Sequence, residues 1–104
     1  MMDIRQEVEV RLKDFPLRSQ ENRADPVVGC KLFHAYGSGT WYLTEYDGND
    51  IAFGFVTGLV ADEWGYVAIS ELEALRMMEI VPRIECDIHF HPIVFSRLKD
   101  QEGL

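Results

Sequence analysis

The sequence predicts an α+β fold: an antiparallel meander sheet of about five strands, one helix packed on the sheet, and an N-terminal helix. Two patterns support this class. Between residues 27 and 69, apolar side chains alternate with a period of two in four segments separated by short turns. Before and after these segments, apolar residues recur at helical spacing. Sequential strands joined by tight turns favour antiparallel pairing.

The first element is predicted as a helix over residues 3–15. Apolar residues recur at helical spacing from Ile4 to Leu12, and Asp3 and Gln6 are placed as a capping box. Apolar residues also alternate in this segment, so a strand is the other interpretation. The proline that follows ends the element, and the polar stretch after it is predicted as a connecting loop.

Five segments are predicted as strands. The Asp47-Gly48 turn is typical of a tight hairpin between the second and the third. Polar and acidic connections separate the first four, and a helix precedes the fifth. The predicted strands are residues 27–36, 41–47, 51–58, 64–69 and 84–92.

The second helix is predicted over residues 70–79. Ser70 can accept the free amide groups of the first turn, and Glu73 stands where it can complete a capping box. Pro82 closes the helical region. The apolar stripe predicted to pack on the sheet consists of Leu72, Leu75 and Met78.

The two faces of the central hairpin are predicted from a turn centred on Gly48 and Asn49. The predicted core face pairs Tyr42 with Phe55, Thr44 with Phe53 and Tyr46 with Ile51. The opposite face grades from apolar to acidic and pairs Trp41 with Val56, Leu43 with Gly54, Glu45 with Ala52 and Asp47 with Asp50. Ala52 and Gly54 are too small to cover the indole of Trp41, so one hypothesis is that this face forms a homo-oligomer interface. That interface would consist of Trp41, Leu43, Ala52 and Gly54.

The length of 104 residues indicates a single domain, residues 1–104, which can bury a core without disulfides or metal. Cys30 and Cys86 stand in apolar alternating contexts and are interpreted as reduced core cysteines. No apolar run approaches the roughly 18 residues that span a bilayer, and the charged start lacks the apolar core of a signal peptide. We therefore expect a soluble, cytoplasmic protein without membrane contact.

The formal net charge of −8 is concentrated in the middle of the chain. Residues 45–87 contain ten acids and two bases, whereas both ends are balanced. Such a segment repels phosphate backbones, so we expect no direct nucleic-acid binding and an attraction to a basic protein. The alternative is that the charge only maintains solubility. The predicted acidic binding surface consists of Trp41, Glu45, Asp47, Asp50, Asp62, Glu63, Glu85 and Asp87.

A second candidate site lies on the last predicted strand. Alternation places Asp87, His89 and His91 on one face, where imidazole and carboxylate groups can hold zinc or another divalent metal. This interpretation predicts a small metal-dependent enzyme. In the other interpretation, these are ordinary surface residues of an edge strand, and the protein needs no cofactor.

The chain resembles a known family in five motifs that occur in register: DPVVGCKLF, TWYLTEYDGND, FGFVTGL, GYVAISELEALR and IECDIHF. Their order resembles the pattern of small bacterial proteins grouped as domain of unknown function (DUF) 2958. The resemblance covers about residues 16–95 and implies an accessory protein of plasmids, phages or integrative elements, without an assigned activity. His89 and His91 depart from the family pattern, which weakens the metal hypothesis.

With this resemblance, the leading hypothesis is a non-catalytic accessory protein of a mobile genetic element. Its acidic surface would mimic a nucleic-acid backbone and engage a basic, nucleic-acid-handling protein. The small metal-dependent enzyme is the alternative hypothesis.

Overall fold

The computed structural model of the protein describes residues 2–77 and 81–104. No helix within these two ranges is long and apolar enough to cross a membrane. The helices are α1 (Ile4–Arg11), α2 (Ile69–Ala74) and α3 (Phe95–Glu102). The strands are β1 (Val27–Val28), β2 (Cys30–His34), β3 (Thr40–Tyr46), β4 (Ile51–Thr57), β5 (Glu63–Ala68), β6 (Arg76–Met77), β7 (Val81–Pro82), β8 (Ile84–Cys86) and β9 (Ile93–Val94).

The first element is a helix, and the capping box predicted for it is present. The Asp3 carboxylate accepts the N–H of Gln6 at 2.9 Å, and the Gln6 side chain accepts the N–H of Asp3 at 3.0 Å. The helix ends at Arg11, earlier than predicted, and the chain turns at Leu12. The helical interpretation is therefore confirmed and the strand interpretation is wrong.

The main sheet has five antiparallel strands in the order β5-β4-β3-β2-β8, so the predicted α+β class is confirmed. Strands β2 to β5 follow one another as a meander. After α2 the chain returns to the opposite edge, where β8 pairs with β2. Strands β1 and β9 form a separate two-stranded pair, as do β6 and β7.

Helix α2 begins one residue before the predicted start and ends at Ala74, not at residue 79, because the chain enters β6 at Arg76. Leu75 of the predicted stripe therefore lies beyond the helix and is exposed. The cap of α2 comes from a distant residue. Ser70 is the second residue of α2 and donates both its N–H and its hydroxyl to the Asp50 carboxylate, each at 2.8 Å. The carbonyl of Asp50 also accepts the N–H of Ile69 at 2.8 Å. The prediction that Ser70 caps the helix is therefore wrong, because the hairpin turn supplies the acceptor groups. Met78, the last residue of the predicted stripe, lies outside the described residues.

Helix α3 is capped in the same way. Ser96, its second residue, donates its N–H at 2.8 Å and its hydroxyl at 2.6 Å to the Asp25 carboxylate. The N–H of Phe95 donates to the carbonyl of Pro26 at 2.8 Å. The connection after α1 is thus tied at its far end to the last helix of the chain.

A β-bulge in β3 changes the predicted register of the hairpin. Tyr42 pairs with Phe55, as predicted, and the prediction also holds for the two neighbouring pairs, Trp41 with Val56 and Leu43 with Gly54. Thr44 is then the extra residue of the bulge, so Glu45 pairs with Phe53 and Tyr46 with Ala52. The predicted pairs of Thr44, Glu45 and Tyr46 are wrong, because one inserted residue moves each following side chain to the other face.

Apolar residues are buried on both faces of the sheet. The larger core lies under α1 and α2 and contains Val8, Leu12, Cys30, Leu32, Trp41, Leu43, Tyr46, Ala52, Ile69, Leu72 and Ile84. A smaller core joins the other face to α3 and contains Val28, Tyr42 and Leu98, with Phe55 and Phe95 partly buried beside them. Both cysteines are free thiols. The proposed homo-oligomer interface at Trp41 is wrong, because Trp41 and Leu43 are only 6% and 0% exposed inside the protomer.

Candidate ligand-binding site

The site begins with a buried carboxylate under the connection formed by residues 17–26. The bulge turns Glu45 toward the face of Phe53, where its residue is only 6% exposed. Its Oε1 accepts the N–H of Arg18 at 2.8 Å, and its Oε2 accepts the N–H of Gln20 at 3.0 Å. Glu45 is therefore not part of an accessible acidic surface, and it holds the connection against the sheet.

Gln20 is the second anchor of this connection. Its buried side chain donates from Nε2 to the carbonyl oxygens of Val27 and Thr44, each at 2.8 Å. Its Oε1 accepts the N–H of Val27 at 2.7 Å. Since Thr44 is the bulge residue, the irregularity in β3 offers the carbonyl that the connection needs.

Two arginines project from this anchored connection. Arg18 has a φ of 72°, an uncommon conformation for a residue with a side chain, and the bond from its N–H to Glu45 holds it there. Arg23 donates from Nη1 to Gln20 Oε1 at 3.3 Å. Neither guanidinium forms an ion pair among the residues that the structure describes.

Both arginines border a cavity of about 410 Å³ that also has an aromatic wall, formed by Phe53, Trp64 and Tyr66. Phe53 stacks on Trp64 with ring centroids 5.9 Å apart and contacts Tyr66 at 4.8 Å. Tyr66 is 66% exposed and Trp64 is 37% exposed. We call Arg18, Arg23, Phe53, Trp64 and Tyr66 the aromatic–arginine site. The cavity is also lined by Gln20, Glu21, Ala24, Pro26, Thr44 and Glu45.

The aromatic wall also packs against the last helix. Phe95 of α3 lies 4.7 Å from Trp64 and 5.1 Å from Phe55, measured between ring centroids. The same helix is bonded through Ser96 to Asp25 at the end of the connection. One helix thus holds both the arginine-bearing connection and the aromatic wall, which fixes their relative position.

The carboxylates of the hairpin turn have structural roles. The Asp47 carboxylate accepts the N–H groups of Asp50, Asn49 and Ile51 at 2.7, 2.8 and 3.0 Å, and these bonds lower the pKa of Asp47. The bonds from Ser70, and then the nearby Arg5, lower the pKa of Asp50. Asp47 and Asp50 therefore do not oppose each other as an unshielded pair.

The remaining predicted acidic residues lie far from one another. Asp62 and Glu63 are exposed at the start of β5, and Glu85 is exposed in β8. Strands β5 and β8 are the two edges of the sheet, so four spacings of about 4.8 Å, or about 19 Å, separate them. The sheet therefore divides the exposed carboxylates of the predicted acidic binding surface between its two edges.

The residues of the metal hypothesis do not share a strand face. Strand β8 ends at Cys86, and the Asp87 carboxylate accepts the N–H of His89 at 3.0 Å in the turn that follows. Asp87 also lies 3.7 Å from Lys31 Nζ. No group of three His, Cys, Asp or Glu side chains within residues 2–77 and 81–104 is arranged to hold a metal ion. The predicted alternation of His89 and His91 is wrong, because the strand stops before it reaches them.

The chain matches one family model over nearly its whole length. The family model described as protein of unknown function DUF2958 matches residues 4–97. The chain belongs to the DUF2958 family. The match includes α1, which the sequence resemblance left outside the family region. No curated protein and no solved structure matches this DUF2958 chain.

None of the five residues of the aromatic–arginine site was predicted from the sequence as a site residue. One signal was present, since alternation in β5 places Trp64 and Tyr66 on the same face. The arginines carried no comparable signal, because the polar stretch around them reads as an ordinary connection. Their approach to the aromatic wall depends on contacts with Glu45 and Gln20 that are distant in sequence.

Proposed function

We propose that this DUF2958 protein is a non-catalytic binding protein whose ligand occupies the aromatic–arginine site. One observation carries the proposal: Arg18 and Arg23 border the same cavity as an exposed aromatic wall, without forming an ion pair among the described residues. The chain has 18 acidic and 10 basic side chains, so carboxylate partners are abundant. Two arginines that form no ion pair with these carboxylates within the described residues are suited to an external anion.

The composition of the site indicates the chemistry of the ligand. Guanidinium groups bind carboxylate, sulfonate or phosphate through paired N–H donors. Aromatic side chains such as Trp64 and Tyr66 bind flat apolar rings by stacking or edge contacts. The ligand therefore combines a planar ring with an anionic group. Since Glu45, Gln20 and α3 already hold the walls, little conformational freedom is lost on binding.

The proposed role is binding and not catalysis, because the side chains that line the cavity supply charge, contact area or structural support. Glu45 is the buried carboxylate at the cavity, and backbone N–H groups occupy both of its oxygens. Such a carboxylate positions the loop above it. The arginines and aromatic rings supply charge and contact area.

A fluorescent dye with the same two features tests the proposal. Anilinonaphthalene sulfonate carries fused rings and one sulfonate, and N-phenylnaphthylamine is a similar fluorophore without the sulfonate. We expect one sulfonated dye to bind per folded chain, and the uncharged dye to bind at least about tenfold more weakly, which corresponds to about 1.4 kcal/mol.

Arginine variants locate the bound dye. The double substitution Arg18→Gln and Arg23→Gln should weaken binding of the sulfonated dye at least about tenfold, since both contacts with the anion are lost. Arg83→Gln is the matched control, because Arg83 precedes β8 at the opposite edge of the sheet. Equal affinity for the two dyes, or equal loss in both variants, would overturn the proposal.

A second candidate function keeps the acidic charge as the binding determinant. The chain is strongly acidic, and Asp62 and Glu63 are exposed beside the exposed apolar residues Leu59 and Val60. These features support salt-sensitive binding to a basic protein in the cytoplasm. A role as an accessory protein of a mobile genetic element is part of this second proposal.

A further inference from the structure

We infer that the ligand of the aromatic–arginine site is a single nucleotide, with its base on the aromatic wall and its phosphate between Arg18 and Arg23. This inference rests on the proposed function and names its ligand class. Exposed aromatic side chains on a sheet surface stack on nucleobases in other proteins, because every base has a flat π-face. Trp64 and Tyr66 are two residues apart on one face of β5, about 6.6 Å along the strand.

The charge on the arginine side matches one phosphate group. A phosphate monoester carries about −1.5 to −2 charges near pH 7, which two guanidinium groups can neutralise. Arg18 and Arg23 come from the same connection, and Glu45 and Gln20 fix its backbone. The backbone that carries the two arginines is therefore positioned before the anion arrives.

A carboxylate at the cavity determines which way the nucleotide faces. Glu21 lines the cavity, and its oxygens only accept hydrogen bonds. It repels a phosphate and suits the N–H groups on the edge of a base, whereas the oxygens of Glu45 already accept backbone N–H groups. The base therefore lies toward Glu21 and the aromatic wall, and the phosphate lies toward the guanidinium groups.

Size and net charge limit the ligand to one nucleotide. The cavity of about 410 Å³ falls within the range of about 300 to 1,000 Å³ that is common for small-molecule sites. A longer strand would bring one further negative charge per nucleotide toward a protein whose net charge is −8. A free mononucleotide gains the local contacts at a smaller electrostatic cost.

Isothermal titration calorimetry on the full chain tests this inference. The titrants are the four ribonucleoside monophosphates, their nucleosides, inorganic phosphate, and a single-stranded oligonucleotide. We expect at least one monophosphate to bind with a stoichiometry of one. It should bind at least about tenfold more tightly than its own nucleoside and than inorganic phosphate, since each of these lacks half of the contacts.

Two variants assign the two halves of the ligand. Tyr66→Ser removes an exposed aromatic ring and should weaken the monophosphate about five- to a hundredfold, the range for losing one stacked base. Arg18→Gln with Arg23→Gln should weaken the monophosphate at least about tenfold while leaving the affinity for its nucleoside unchanged. Arg83→Gln should change neither affinity. Circular dichroism establishes that each variant is folded.

The outcomes separate this inference from the proposed function. If the sulfonated dye binds at the site and no monophosphate binds, the nucleotide inference is overturned and the proposed function is retained. If neither binds, both fail. Inorganic phosphate that binds as tightly as the monophosphate would overturn the inference, as would an oligonucleotide that binds more tightly. The nucleotide inference would also be overturned if Arg83→Gln lost as much affinity as the double arginine variant.

Discussion

The Glu45 carboxylate accepts the backbone N–H of Arg18 at 2.8 Å, and Arg18 adopts a φ of 72° at this contact. A buried acid in the central strand β3 therefore determines the backbone conformation of an arginine that borders the cavity. The contact joins residues 27 positions apart. It also links the bulge in β3 to the aromatic–arginine site, since the bulge brings Glu45 to that face.

Replacing Glu45 with Gln should lower both stability and ligand binding. The amide nitrogen of Gln would face a backbone N–H of Arg18 or Gln20, which leaves one buried donor without an acceptor. We expect the free energy of unfolding, measured by urea denaturation, to fall by about 1–3 kcal/mol. Binding of anilinonaphthalene sulfonate should weaken because Arg18 is no longer held.

Glu9→Gln is the control for this substitution. Glu9 is exposed on α1, and we expect its replacement to change the free energy of unfolding by less than about 0.5 kcal/mol. If the Glu45 and Glu9 variants were equally stable, Glu45 would not anchor the connection.

Three aspartates that accept hydrogen bonds at helix starts and in the hairpin turn should make the protein sensitive to acid. Hydrogen bonds lower the pKa of Asp25, Asp47 and Asp50 below the ordinary value of 3.8. A group whose pKa is lower in the folded state contributes stability above its unfolded pKa, and this contribution is lost as the pH falls through the folded pKa. We expect the free energy of unfolding to decrease from about pH 4 downward.

Asp47→Asn assigns part of this dependence to one residue. The variant should be less stable than the wild type at pH 7, and the difference should shrink as the pH falls below about 4, because Asp47 takes up its proton at a higher pH in the unfolded chain than in the folded protein. Urea denaturation at several pH values measures both quantities. Asp14→Asn is the control at an exposed position. A difference that stays constant down to pH 2 would contradict the assignment to Asp47.

Two glycines that face each other across β4 and β5 should differ sharply in their tolerance of a methyl group. Gly54 pairs with Gly65. A Cβ at Gly54 would collide with the backbone carbonyl oxygen of Tyr42 and lie 2.8 Å from the Cα of Leu43. We expect Gly54→Ala to lower the free energy of unfolding by about 3 kcal/mol or more, because backbone atoms beside the bulge cannot move aside cheaply.

Gly65→Ala is the matched control for this prediction. A Cβ at Gly65 meets no atom within 4 Å, so the variant should gain up to about 1 kcal/mol from the reduced freedom of the unfolded chain. Urea denaturation of both variants measures the contrast. Similar losses at the two positions would show that the close contact at Gly54 does not limit stability.

The acidic proposal requires variants whose carboxylates are exposed. Neutralising Glu45, Asp47 and Asp50 together would remove structural bonds and confuse unfolding with lost binding. Asp62→Asn with Glu63→Gln alters exposed carboxylates instead, and the amide oxygen of Asn can still accept the N–H of Gly58 that Asp62 Oδ1 accepts at 3.1 Å. We expect a fluorescent decalysine peptide to bind about two- to tenfold more weakly to this variant at low salt.

Salt and a control variant test whether the contact is electrostatic and local. Fluorescence anisotropy should show that decalysine binds the wild type more weakly at an ionic strength of about 0.15 M than at about 0.01 M, because screening shortens the range of the field. Glu9→Gln with Asp14→Asn removes the same charge elsewhere and should have a smaller effect. Equal effects of the two double variants would reject a local contact at β5.

The parts of the fold that follow local patterns were predictable. The capping box at Asp3 and Gln6 and the period-two alternation of the strands depend on neighbouring residues, and the structure contains them. The pairing of Tyr42 with Phe55 was predicted from the position of the turn. The bulge at Thr44 was not, because its carbonyl bonds to Gln20, which is 24 residues away.

The sequence by itself determined the α+β class, the first helix and the resemblance to DUF2958, because each depends on local periodicity or on motifs in order. Only the tertiary structure decided the roles of the charged residues. It buries Glu45, uses Asp25 and Asp50 as distant helix caps, and places Arg18 and Arg23 beside an aromatic wall. The physical reason is that a carboxylate binds whichever N–H groups the fold brings within reach, and sequence spacing does not determine which ones those are.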